Sequence, residues 1–109
     1  MKTLLSFEQF VLFIREEVGE FKMTINQSTL IEDDLGVTGD DAVDLLNSYT
    51  QRFGVDMSGF VFDKYFYPEP NFFRENPKPK LPITIGDMYQ GIAYGKLDDS
   101  VIGHLDSPL

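Results

Sequence analysis

The sequence predicts an all-α protein: one domain built as a bundle of three main helices and one short helix. Three observations predict it. Three stretches place apolar residues three and four apart, which puts them on one face of a helix. Each stretch opens on a residue able to cap a helix and closes near a glycine. Five prolines, Pro68, Pro70, Pro77, Pro79 and Pro82, crowd the interval before the last stretch. They exclude a long helix there and resist a central strand.

The first helix is expected over residues 7–18. Ser6 is a good N-cap, and Gln9 three residues on completes a capping box. Phe7, Phe10, Val11, Ile14 and Val18 form its apolar stripe, and Glu8, Arg15 and Glu16 lie off it. Gly19 is the expected stop. Residues 21–36 show no clean period and read as a loop, with Leu30, Ile31 and Leu35 as apolar anchors. Such anchors are needed to offset the entropy of ordering a long loop.

The second helix is expected over residues 40–53. Thr38 or Gly39 caps it, and Asp40, Asp41 and Asp44 sit near the positive end of the helix dipole, where carboxylates are favoured. Ala42, Leu45, Leu46, Tyr49 and Phe53 follow at helical spacing, and Gly54 ends the run. A short helix is expected near 56–66, with a helical turn near Asp63–Phe66. Residues 60–82 then form an aromatic and proline-rich insertion with Phe60, Phe62, Tyr65, Phe66, Tyr67, Phe72 and Phe73. Core filling and a binding surface are both open roles for these rings. Lys78-Pro79-Lys80 reads as a solvated loop.

The last helix is expected over residues 85–94. Thr84 caps it, Asp87 stands in the capping-box position, and Ile85, Met88, Tyr89 and Ile92 make its apolar face. Gly91 is expected to weaken it by about 1 kcal/mol relative to alanine. Gly95 is the stop, and residues 96–109 form a tail with room for one turn near residues 100–104.

Composition narrows the function. The 109 residues fit one compact domain, and their net charge of −9 argues against non-specific nucleic-acid binding. Residues 1–56 hold 11 acidic and 4 basic side chains; the rest hold 7 and 5. An acidic half suits a basic partner, and it equally suits simple solubility. The absence of cysteine excludes disulfides and thiolate metal sites. The apolar run at residues 1–5 is too short for a signal peptide or a membrane span. A soluble, cytoplasmic, monomeric protein is expected. His104 has no serine or cysteine nucleophile with an evident base beside it, so an acyl-transfer triad has no support. No glycine-rich phosphate loop is present. Glu32, Asp33 and Asp34 with Asp40 and Asp41 offer hard oxygen ligands but not the spacing of a calcium loop, and no metal is expected.

From Asp34-Leu35-Gly36 onward the sequence resembles acyl and peptidyl carrier proteins. Those proteins carry Asp-Leu-Gly, two further residues, and then the serine that holds the phosphopantetheine arm at the start of their second helix. Asp44-Leu45, Phe53-Gly54-Val55 and Ile83-Thr84-Ile85-Gly86-Asp87-Met88 are similar to later carrier landmarks, in the right order. The resemblance implies an acyl-carrier-like helical bundle. It also implies that the acidic second helix is the face a basic partner would recognise, through Asp40, Asp41 and Asp44. Capping and solvation without a partner is the other reading of those three acids.

The departures from the carrier pattern decide the expected activity. Gly39 stands at the serine position, and Asp40 replaces the apolar residue that follows. Glycine cannot be phosphopantetheinylated, and Thr38 lies one residue early. With its long aromatic insertion, the chain resembles short acyl-carrier-like bacterial proteins of unassigned function. The expectation is a non-catalytic protein-interaction or regulatory module without a cofactor. The alternative is a working carrier modified at an atypical residue.

Overall fold

The computed structural model describes residues 5–37, 39–66 and 81–103. Three helices form its frame: α1 (Phe7–Val18), α2 (Gly39–Phe53) and α3 (Ile85–Tyr94). Among the described residues there is no strand, only two isolated bridges between extended segments. The longest helix has 15 residues, and no helix among them is long and apolar enough to cross a membrane.

The expected caps set the helix ends. Ser6 Oγ accepts the Gln9 N–H at 3.1 Å, and the Ser6 N–H donates to Gln9 Oε1 at 2.9 Å. Gly19 turns the chain out of α1 with φ of 74°, a left-handed conformation that glycine adopts without steric cost. At α3, Thr84 and Asp87 make the same reciprocal pair, both bonds at 3.0 Å.

The loop after α1 is tied down by backbone pairing with the approach to α3. Leu30 and Thr84 form an antiparallel bridge, with the Ile31 N–H donating to Ile83 O at 3.0 Å. The Ile85 and Gly86 amides, which have no partner inside their own helix, donate to Thr29 O and Gln27 O at 2.9 Å each. The first turn of α3 is thereby satisfied without water.

α1 packs on both other helices. Phe10 is fully buried and meets Tyr49, Phe53 and Tyr89 with ring centroids about 6 Å apart. Phe13, absent from the expected stripe, is also buried, edge-on to Phe53 at 4.9 Å. The buried face of α1 is wider than one stripe because two helices lie against it. Tyr49 is fully buried and donates its hydroxyl to Met88 O at 2.7 Å, binding α2 to α3. That hydroxyl lies against Gly91, where a Cβ would collide with it. The glycine inside α3 therefore makes room for the tyrosine, at the cost in helix propensity expected from the sequence.

Two expectations are corrected. The short helix expected over 56–66 is a single helical turn, Phe62–Tyr65. Its first half is diverted because the Asp56 backbone pairs with the segment after α3: the Asp56 N–H donates to Gly95 O at 2.9 Å and the Leu97 N–H to Asp56 O at 3.0 Å. The segment expected to be a tail from residue 96 packs inward as far as it is described. Leu97, Val101 and Ile102 are buried, and burying each such side chain contributes about 1.5–3 kcal/mol. Of the aromatic insertion, Tyr65 and Phe66 are core, and Phe60 and Phe62 are half-buried against it. Tyr67, Phe72, Phe73, Lys78-Pro79-Lys80 and His104 lie outside the described residues.

Candidate functional site

The turn before α2 is built by the Asp34-Leu35-Gly36 motif. Asp34 Oδ2 accepts the Leu30 N–H at 2.7 Å, and the Leu35 N–H donates to Leu30 O at 3.2 Å. Gly36 follows with φ of 71°, and the Val37 N–H donates to Ile31 O at 3.2 Å. One Asp34 oxygen is thus engaged in holding the turn. Among the described residues no group of three or more His, Asp or Glu side chains is arranged to hold a metal ion.

Gly39 opens α2 with φ of 58° and is buried. A residue with a Cβ is strained by about 1–2 kcal/mol in that left-handed conformation. Both the backbone and the burial suit glycine here. Thr38, the nearest hydroxyl, lies outside the described residues.

Asp40, Asp41 and Asp44 are all exposed on the first turns of α2. The structure does not treat them alike. Asp41 and Asp44 line a notch of about 190 Å³ together with Glu17 and Val18 of α1 and the Leu35–Val37 turn. Asp40 is not part of that lining. Glu17 is the site residue that the sequence reading missed. It is exposed near the end of α1, seven residues after Phe10 and four after Phe13, and that spacing was the available signal. Glu17 also lines a second, more open cavity of about 300 Å³ with Phe13, Ser48, Gln51 and Arg52. The Arg52 guanidinium sits 5.8 Å from the ring centres of both Phe13 and Phe53.

The remaining acids with marked environments serve the fold. Asp87 is buried, and its second oxygen accepts the Gly103 N–H at 3.1 Å. Asp99 accepts from Lys64 Nζ and from the Tyr65 hydroxyl, the latter at 2.6 Å. These bonds, Lys64 first, hold its carboxyl below the usual range. Burial, and then the bond to Asp99, pushes the Tyr65 hydroxyl well above its ordinary value. Asp56 and Asp98 are lowered chiefly by hydrogen bonds from Ser58 and Ser100.

No curated protein and no solved structure matches the chain. One family model, described as "Protein of unknown function (DUF1493)", matches residues 6–97. That span takes in all three helices, the acidic head of α2 and the notch beside it, and the chain belongs to this family.

Proposed function

We propose that the protein is a non-catalytic recognition module of acyl-carrier-like design, and that the acidic head of α2 docks on a basic surface of a partner protein. The observation that carries this reading is at Gly39. A buried, left-handed glycine stands where a carrier needs a serine, while Asp40, Asp41 and Asp44 remain exposed around it. Tethering chemistry has no oxygen at that position, and recognition by charge keeps its acids. The carrier likeness is supported by where its motifs fall: one in the turn before α2, one at the end of α2 and one at the head of α3. In this reading the helical turn Phe62–Tyr65 stands for the carrier's short helix, and the protein works as a cytoplasmic monomer.

Two measurements test it. Incubation with a permissive phosphopantetheinyl transferase and coenzyme A is expected to leave the intact mass unchanged. A stoichiometric pantetheine adduct overturns the proposal in favour of an atypically modified carrier. Asp40→Lys combined with Asp44→Lys is expected to reduce capture of partners from a native lysate, more at low salt than at high salt, because exposed charge is screened by ions. Undiminished capture at low salt removes the acidic face from the account.

A further inference from the structure

We propose that Asp99 is the latch of a conformational unit: its carboxylate holds the helical turn Phe62–Tyr65 in place, and when it lets go the turn unwinds and presents the Phe60 and Tyr65 rings. The device lies apart from the acidic head of α2 and stands without the docking reading.

The geometry sets one carboxylate against two groups of the turn. Asp99 Oδ2 meets Lys64 Nζ, and Asp99 Oδ1 accepts the Tyr65 hydroxyl at 2.6 Å. Lys64 is also joined to a third stretch of chain, because its backbone O accepts the Leu81 N–H at 2.9 Å. Asp99 stands on a platform that does not need the turn. The Val101 and Ile102 amides both donate to Asp98 O at 3.0 Å, and the Gly103 amide donates to Asp87 Oδ1 at 3.1 Å. Val101 and Ile102 are buried. The platform is fixed, and the turn is the part that moves.

The turn does not hold itself. It has four residues, and a helix that short fixes its backbone for too few bonds to persist alone. Its own bonds are Lys64 N–H to Val61 O at 3.1 Å and Phe66 N–H to Phe62 O at 3.0 Å. Ser6 and Thr84 cap α1 and α3 with side-chain bonds, whereas Val61 gives this turn none. Val61 and Leu81 beside it are exposed, so its outer side is unpacked. The Lys64 and Asp99 side chains are about half exposed, and water replaces such an ion pair at little cost. Segments held by few and exposed polar bonds open more readily than buried ring contacts such as those joining α1 to α2. Two features oppose opening. Tyr65 is buried and stacks on Phe60 with centroids 5.3 Å apart, and Phe66 is fully buried at the end of the turn. Phe66 is the anchor, and the Phe60–Tyr65 pair is what the open form carries to the surface.

The test uses the full chain, labelled with ¹⁵N, and follows amide exchange under native conditions. Asp99→Ala is expected to speed exchange at Lys64, Phe66 and Leu81 by on the order of tenfold, the size of one lost charge-assisted hydrogen bond. Helix amides of Ile14 and Tyr49 are expected to keep their rates. Asp99→Asn retains an acceptor for the Tyr65 hydroxyl and is expected to have a smaller effect. Nitration of Tyr65 by tetranitromethane, read by peptide mass, is expected to quicken with the amides, while nitration of the exposed Tyr94 stays constant. Unchanged exchange at Lys64, Phe66 and Leu81 overturns the proposal. An equal rise at Ile14 and Tyr49 also overturns it, because Asp99 then serves the whole fold. Faster amides with unchanged Tyr65 nitration would show that the rings stay packed, and the presentation of the pair falls.

Discussion

The heads of α2 and α3 carry the same kind of side chain and use it in opposite ways. At α3, Asp87 is buried, with one oxygen on the Thr84 N–H and the other on the Gly103 N–H. The neighbouring amides of Ile85 and Gly86 are satisfied by backbone oxygens of the preceding loop. At α2, Asp40, Asp41 and Asp44 face solvent, and a glycine makes the turn into the helix. A buried carboxylate is tolerated only when its hydrogen bonds are made, so Asp87 belongs to the fold. Exposed acids contribute little to stability, and in the proposed reading those on α2 meet the partner. Burial separates the two roles, and a count of acids does not.

The largest expected effect comes from removing the structural acid. Asp87→Ala removes the carboxylate half of the capping box and leaves the Thr84 and Gly103 amides without their acceptor. Its expected cost is about 2–3 kcal/mol in urea unfolding. A loss under about 0.5 kcal/mol, the level of an ordinary surface change, would erase the contrast between the two heads. Gly39→Ser comes next. It places a hydroxyl side chain on a backbone with φ of 58°, at an expected cost of about 1–2 kcal/mol. A serine that leaves thermal stability unchanged would show that the head of α2 accepts a side chain. The smallest effect belongs to Asp40→Asn with Asp44→Asn. This pair is expected to shift stability by no more than about 0.5 kcal/mol while still weakening partner capture. A clear destabilisation would move these acids from recognition to structure.

The parts of the fold that depend on neighbours in sequence were legible. Ser6 with Gln9, Thr84 with Asp87, and the stops at Gly19 and Gly95 all act within a turn of their own helix, and the boundaries of α1 and α3 follow from them. The parts that depend on distant segments were not. Phe13 is buried because α2 brings Phe53 against it. The helix expected from residue 56 is cut short by pairing with Gly95 and Leu97, some forty residues away in the chain. The site divides along the same line. The exposure of Asp40, Asp41 and Asp44 follows from the stripe of α2. The notch that selects Asp41 and Asp44 over Asp40 needs Glu17 and the Leu35–Val37 turn, which no local period brings together.

The clearance at Gly91 bears on how such a chain diverges. The atom nearest the space a side chain would take there is an oxygen of residue 49, with Leu97 Cδ1 and Lys96 O a little further off at 3.1 and 3.2 Å. Natural variation at the two positions is therefore expected to travel as a pair: a descendant acquiring a methyl group at 91 must first surrender the phenol at 49. A survey of one position alone would record an unexplained intolerance, whereas the double exchange to phenylalanine and alanine should prove milder than its separate halves imply.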